Sequence, residues 1–411
     1  MPGYNFAREP QMVPLVNTRH RIIKTPIPVS GTEAIIERLE RCESRSMQGQ
    51  LPLAWERARD FNIWDAAGNQ WIDFTSTIFV ANVGHANPRV MAAVKQALDS
   101  ELVNTYAYVS RIRADYIERL VRFAGPPFEK AFLLSAGTEA TEAGLKLMRM
   151  QGQKTAKRRP GVICIEGNWH GRTMGAQMMS SNAAQKAWIG FTDPNLHHIP
   201  FPYPWVLGHA SGEAFLNASL QRLESAGVDL ARDVCGFMLE TFQGWGAAFY
   251  PKDYVHAIEQ LCRKHGMLLC FDEMQSGFAR TGKRFGYEHY GVTPDLICCG
   301  KGMGSGLPLS GVLGRAEVMH LPEVGNMSST HSANPVVCAA GLATLEEIER
   351  LCLVEETARK GRLLFDVPLT AFKLRVPDNG EPGYEKFADV EIPLRIDSDE
   401  IVTPLPNGVL K

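Results

Sequence analysis

The sequence predicts an α/β fold with a mainly parallel sheet flanked by helices, and three observations carry that prediction. Short apolar runs of strand length alternate with longer stretches of helical periodicity through the middle of the chain. At 411 residues and 45% hydrophobic content, the chain can bury one large domain and carry smaller elements beside it. Glu240, Asp272 and Lys301 each stand at or just past the end of a separate apolar run, the place where open α/β sheets bind their ligands.

Taken in order, residues 1–85 read as an N-terminal segment that contributes to a small domain and to the entrance of an active site. Residues 86–350 read as the large domain, and 351–411 as a short, atypical C-terminal appendage. Within the large domain the runs 131–134, 162–165, 236–239, 267–271, 296–299 and 311–313 have strand length. Each is followed by Ser, Glu, Asp or Gly, as expected of strands buried on both faces. Between them lie amphipathic patterns. One spans 139–150, with Ala140, Ala143, Leu147 and Met150 on one side. Another spans 253–265 and stops at Gly266, a residue suited to the left-handed cap of a helix.

Composition excludes several classes of function. Charged residues make up 21% and the formal net charge is −2, so there is no electrostatic case for nucleic acid or a membrane surface. The nine cysteines are scattered and form no CxxC, which suggests neither a metal site nor a disulfide framework. The first residues lack the pattern of a signal peptide, and no apolar stretch approaches the ~20 residues of a membrane span. The expected setting is a reducing cytoplasm, and the expected partners are small molecules and a second copy of the chain.

The motifs narrow the chemistry. Asp272 ends the run 267–271 and Lys301 follows the run 296–299 among glycines, in Gly300-Lys301-Gly302-Met303-Gly304. A lysine that can hold an aldehyde as a Schiff base, with a carboxylate to keep a ring nitrogen protonated, is what pyridoxal 5'-phosphate requires. Alternatives exist for each residue read singly. Asp272 could instead pair with Arg280 or Lys283, and Lys301 could be a surface lysine. A phosphate-loop lysine is disfavoured, because Gly302 rather than Ser or Thr follows and the GxxxxGK[ST] spacing is absent.

Ser135-Ala136-Gly137-Thr138-Glu139 follows a strand and opens a helix, so its amides and the Thr138 hydroxyl could receive a phosphate at the positive helix end. The same residues also fit an ordinary helix cap. In Gly167-Asn168-Trp169-His170-Gly171-Arg172-Thr173, Trp169 offers a ring that can lie on a cofactor, or else a core aromatic beside a turn. His170 supports it from behind or is an ordinary buried histidine. Gln275 carries an amide that could bond the cofactor's 3-hydroxyl oxygen.

Together these motifs resemble the class III, or ω-, aminotransferases of the fold-type I pyridoxal phosphate enzymes. The likeness runs over about 51–348 and includes Ile63-Trp64-Asp65-Ala66-Ala67-Gly68, Gly84-His85-Ala86-Asn87-Pro88 and Thr330-His331-Ser332-Ala333-Asn334-Pro335. The resemblance implies that Lys301 and Asp272 are catalytic, with Lys301 bearing the cofactor and Asp272 facing its ring nitrogen. It implies that Gly137, Thr138, Trp169, His170, Glu240 and Gln275 complete the cofactor site. It further implies a homodimer in which Thr330 reaches the phosphate in the neighbouring subunit, and ping-pong transfer of an amino group from an amine or amino acid to a keto acid or aldehyde. An aminomutase, racemase or decarboxylase on the same scaffold, or a catalytically silent cofactor-binding protein, would share these parts.

Two departures bear on substrate. Where many relatives have Glu-Pro and then a second glutamate, this chain has Glu240-Thr241-Phe242-Gln243-Gly244-Trp245, so the acid that gates an arginine in 4-aminobutyrate and ornithine aminotransferases is replaced by Trp245. Beyond about Phe365 the sequence no longer resembles the family's C-terminal small domain.

Overall fold

The apolar runs assemble into one seven-stranded sheet in the computed structural model, which describes residues 6–244, 246–365, 372–374 and 390–392. Its strands are β1 (Lys130–Leu134), β2 (Gly161–Ile165), β3 (Leu196–Ile199), β4 (Val234–Glu240), β5 (Leu268–Asp272), β6 (Leu296–Cys299) and β7 (Ser310–Gly314). Their spatial order is β1-β7-β6-β5-β4-β2-β3. Every pairing is parallel except the two made by β7, which runs antiparallel to both β1 and β6. Six strands match the expected runs, and the edge strand β3 was not expected. Its sequence, Leu-His-His-Ile, contains two histidines and is buried only at Ile199, so hydrophobicity does not mark it.

Alternation along the strands divides the interior into two layers. Leu268 and Cys270 of β5 join Met238, Cys298 and Val312 beneath helix Gly137–Lys154. Leu269 and Phe271 join Phe237, Ile297 and Leu313 on the other face, against helices Arg111–Ala124, Lys252–His265 and Pro335–Arg350. Helix Gly137–Lys154 touches six of the seven strands, which explains why it is buried on more than one stripe, from Ala140 through Met148. Helix Lys252–His265 ends where Gly266 adopts φ 62, the left-handed turn that a glycine takes without steric cost.

Ahead of this layer, the N-terminal segment forms helix Thr32–Cys42 and an antiparallel five-stranded sheet, in the order Val16–Asn17, Ile22–Ile23, Gln70–Ile72, Asn62–Asp65, Trp55–Arg59. All of these belong to the first of two compact units, residues 1–354; the second is 355–411. The second unit contains most of helix Leu353–Phe365 and an antiparallel pair, Phe372–Leu374 with Val390–Ile392. The rest of the expected C-terminal appendage lies outside the described residues. Among the described residues, no helix is long and apolar enough to cross a membrane.

Candidate active site

The parallel register brings the distinctive acids together. Glu240 at the end of β4 lies opposite Asp272 at the end of β5, and Asp272 lies opposite Cys298 of β6. Lys301 leaves the same rim two residues after β6 ends. Asp272 is 3% exposed, and its partners are local: Oδ2 is 2.9 Å from His170 Nδ1, and Oδ1 accepts from the Met274 amide at 3.0 Å. The alternative pairings do not form, since Arg280 donates to Asn82 instead and Lys283 has no ion pair with Asp272 among the described residues. A buried acid needs such partners, and the imidazole supplies a charge-compatible one.

His170 is held by two further bonds. Its amide donates to Ser180 Oγ at 2.9 Å and its carbonyl accepts from Thr141 Oγ1 at 2.7 Å, and its side chain is fully buried. Nε2 has no protein partner among the described residues. The ring is therefore positioned by the fold to serve Asp272, as in the carboxylate–histidine pairs that orient reactive groups elsewhere.

Glu240 Oε2 accepts from the Trp169 amide at 2.9 Å and the Gly244 amide at 3.4 Å. Burial pushes this carboxyl up to about 8, and the neighbouring Asp272 charge acts in the same direction; the two amides and Lys301 oppose them. Burial and the Asp272 charge thus both favour the protonated form of the acid on β4. Next in sequence to Asp272, buried Glu273 accepts from Thr241 Oγ1 (2.8 Å), Ser276 Oγ (2.6 Å) and the Gly286 and Tyr287 amides (2.8 Å each). These bonds fix the loop that carries Gln275, whose side chain lies over Gly244 with Oε1 buried and without a partner among the described residues.

At the start of helix Gly137–Lys154 the capping and anion-binding readings coexist. Glu139 turns back to accept from the Ser135 and Ala136 amides, each at 2.9 Å. That leaves the Gly137 and Thr138 amides, which as the first of the helix have no carbonyl partner within it. Thr138 Oγ1 lies 2.6 Å from Thr173 Oγ1, tying the helix end to the Trp169 loop. Trp169 is half-buried rather than a core aromatic, and the Arg172 guanidinium sits 4.5 Å from its ring centroid.

Arg172 is a residue the sequence reasoning passed over. It is exposed, and among the described residues it has no carboxylate partner. The signal was present, because a cation three positions after Trp169 in a glycine-flanked turn lands beside the ring. Asn82 was also missed, and no local pattern marks it; Arg280, expected only as a possible partner of Asp272, donates to Asn82 instead. Thr330 is exposed ahead of helix Pro335–Arg350 and makes no side-chain bond to the other candidates among the described residues. Trp245 lies outside the described residues.

One rim therefore offers an amine, a buried acid backed by imidazole, a second buried acid biased toward its protonated form, an open helix N-terminus and an aromatic face. The Gln275 oxygen and the first helix amides, without partners among the described residues, fit a cofactor carrying a hydroxyl, an anionic group and a ring. Comparison with known proteins agrees. The Aminotransferase class-III family model matches residues 44–373. The chain is 33% identical over 360 residues to a 4-aminobutyrate aminotransferase of Mycobacterium tuberculosis, covering 84% of this chain and 78% of the relative. It is similar in structure to a thermostable (S)-enantioselective omega-transaminase from Thermomicrobium roseum, with TM-score 0.73, 26% identity and coverage of 81% and 78%. It is also similar to the ornithine aminotransferase from Toxoplasma gondii, with TM-score 0.73, 25% identity and coverage of 83% and 77%.

Proposed function

The chain belongs to the class III aminotransferases, fold-type I enzymes that depend on pyridoxal 5'-phosphate, and from that premise we propose that Lys301 and Asp272 carry its amino-group transfer. The observation that supports this assignment best is the buried Asp272–His170 pair at the rim from which Lys301 emerges. When bound, the cofactor supplies an electron sink for the carbon that bears the donor's amino group.

The protein's own residues do the rest. The Gly137 and Thr138 amides and the Thr138 hydroxyl would hold the phosphate at the helix end. Trp169 would offer its face to the ring, Gln275 would bond its hydroxyl, and Glu240, whose burial favours the protonated form, borders Asp272. Asp272, oriented by His170, would pair with the ring nitrogen. Lys301 Nζ would hold the cofactor and, when free, would accept the proton lost from the donor's carbon. The two halves of the exchange follow one another in ping-pong order. Arg172, exposed and without a carboxylate partner among the described residues, suits a donor or acceptor that carries an acidic group.

The wider arrangement is read in the same way. Residues 1–85 contribute to the entrance, 86–350 hold the cofactor, and 351–411 form the appendage. The enzyme works as a homodimer, with Thr330 reaching the neighbouring site; its exposure, and that of Leu102, Val103, Tyr106, Tyr108 and Val109, supports a second copy as partner. Nine free thiols suit a reducing cytoplasm.

Acceptor dependence tests the reaction. With a suitable amine donor, product should accumulate beyond one equivalent per site only when a keto acid or aldehyde is present. Sustained turnover without an acceptor would replace transamination by an aminomutase, racemase or decarboxylase reaction.

A further inference from the structure

Asn82 lies 219 positions before Lys301 in sequence, yet its side chain rests on the turn that carries it. A Cβ built on Gly302 would fall 2.3 Å from Asn82 Nδ2, so the amide lies directly against the backbone of the Lys301–Gly304 turn. Only a glycine allows that approach. Asn82 Nδ2 donates to the Phe278 carbonyl at 2.8 Å and the Gly277 carbonyl at 3.3 Å, and Asn82 Oδ1 accepts from Arg280 Nη2. Both ends of the amide are thereby used, and all three partners belong to the loop that begins at Gln275. The side chain bridges the Gln275 loop and the Lys301 turn.

The segment that presents Asn82 is itself held in place. Ser76–Phe79 is a turn in which four successive residues have φ between 49 and 71, and it lies against Lys301–Gly304. Left-handed conformations are unfavourable for such side chains unless the surroundings impose them. Asp73 does so, accepting from the Thr75 amide at 2.9 Å and the Thr77 amide at 2.8 Å, and meeting His85 Nε2 at 2.8 Å. Arg280 continues the clamp with its guanidinium 5.9 Å from the Phe79 ring centroid. Lys301 also has a left-handed backbone, φ 42, in a residue that is not glycine. Something must hold that turn, and the Asn82 amide lies directly against it.

We propose that Asn82 is a positioning residue for Lys301: its amide locks the lysine turn to the Gln275 loop and so fixes where Nζ emerges. The inference rests on the reading of Lys301 as the cofactor-bearing amine. Asn82→Ala removes the wedge and all three hydrogen bonds. Asn82→Asp keeps the shape and the bond from Arg280, but turns an oxygen toward two carbonyls.

Hydrogen exchange of the cofactor-free protein tests the lock, and capture of pyridoxal phosphate tests its purpose. Both variants should exchange the amides of 277–280 and 301–305 about tenfold faster than wild type, the scale set by losing a buried hydrogen bond or two, with helix Gly137–Lys154 unchanged. Borohydride trapping of pyridoxal phosphate at Lys301 should slow by a similar factor, and kcat should fall about tenfold while the donor KM changes less than about twofold. Unchanged exchange at 301–305 would overturn the lock. Faster exchange with wild-type trapping and kcat would overturn the positioning role. If wild type itself traps no cofactor at Lys301, the functional reading fails, and exchange still decides whether Asn82 fixes the turn.

Discussion

Glu240 and Asp272 occupy one rung of a parallel ladder, so the chemistry of each depends on the other. Burial first, and Asp272 second, push Glu240 up to about 8. The sign follows from linkage: the folded protein binds a proton that the unfolded chain releases near its ordinary carboxyl value, so stability is lost as pH rises through about 8. In cofactor-free protein, denaturant unfolding should therefore show stability falling between about pH 5 and 8, and Glu240→Gln should flatten that slope. An equally steep slope in the variant would place the titration elsewhere. Asp272→Asn keeps a partner for His170 but removes the negative charge; amino transfer should fall at least about a hundredfold, measured as kcat/KM, with thermal stability little changed. At this scale Asp272 and Lys301 were legible because both sit where an apolar run stops. Asn82 was not, because its partners lie about two hundred residues away and nothing local distinguishes an asparagine that bridges two loops from one in a turn.

Helix Gly137–Lys154 is the element on which the site depends, since its first turn holds Thr138 and its body crosses the sheet. Leu147 is fully buried in the layer beneath it. Leu147→Ala should cost ~2–5 kcal/mol in equilibrium unfolding, and cofactor affinity should weaken because the proposed phosphate-binding end is carried by the same helix. The helix was legible from Ala140, Ala143 and Leu147, although it runs from Gly137 to Lys154, past the amphipathic stripe, because the exposed Gln153 and Lys154 at its end add nothing apolar to read. The strands were legible where they are buried on both faces. β3 was not, because an edge strand tolerates His197 and His198 and so breaks the apolar run. The short antiparallel strands of the N-terminal sheet were equally silent, being two to five residues long and defined by pairing rather than by composition.

The whole molecule poses the question of assembly. Tyr108 and Val109 are 80% and 97% exposed, and with Leu102, Val103 and Tyr106 they give residues 102–109 an apolar surface that water does not favour. Sedimentation should show a dimer, and Val109→Asp should weaken it at least about tenfold through an unpaired buried charge; an unchanged dimer would remove this stretch from the interface. The rim on which the acids meet was foreshadowed by the alternation of apolar runs and helices, whereas the strand order and the reversed direction of β7 were not, because neither pairing nor direction leaves a trace in a short apolar stretch. The central claim is that Lys301 is the amine on which the cofactor is held. The visible spectrum of purified protein with pyridoxal phosphate, beside Lys301→Ala and before and after an amine panel without acceptor, tests it most directly. The expected result is an absorption band that requires Lys301, a borohydride-reducible cofactor adduct on the Lys301 peptide, and loss of the band with at least one amine. A wild-type protein without that band, or a band that persists in Lys301→Ala, would contradict it.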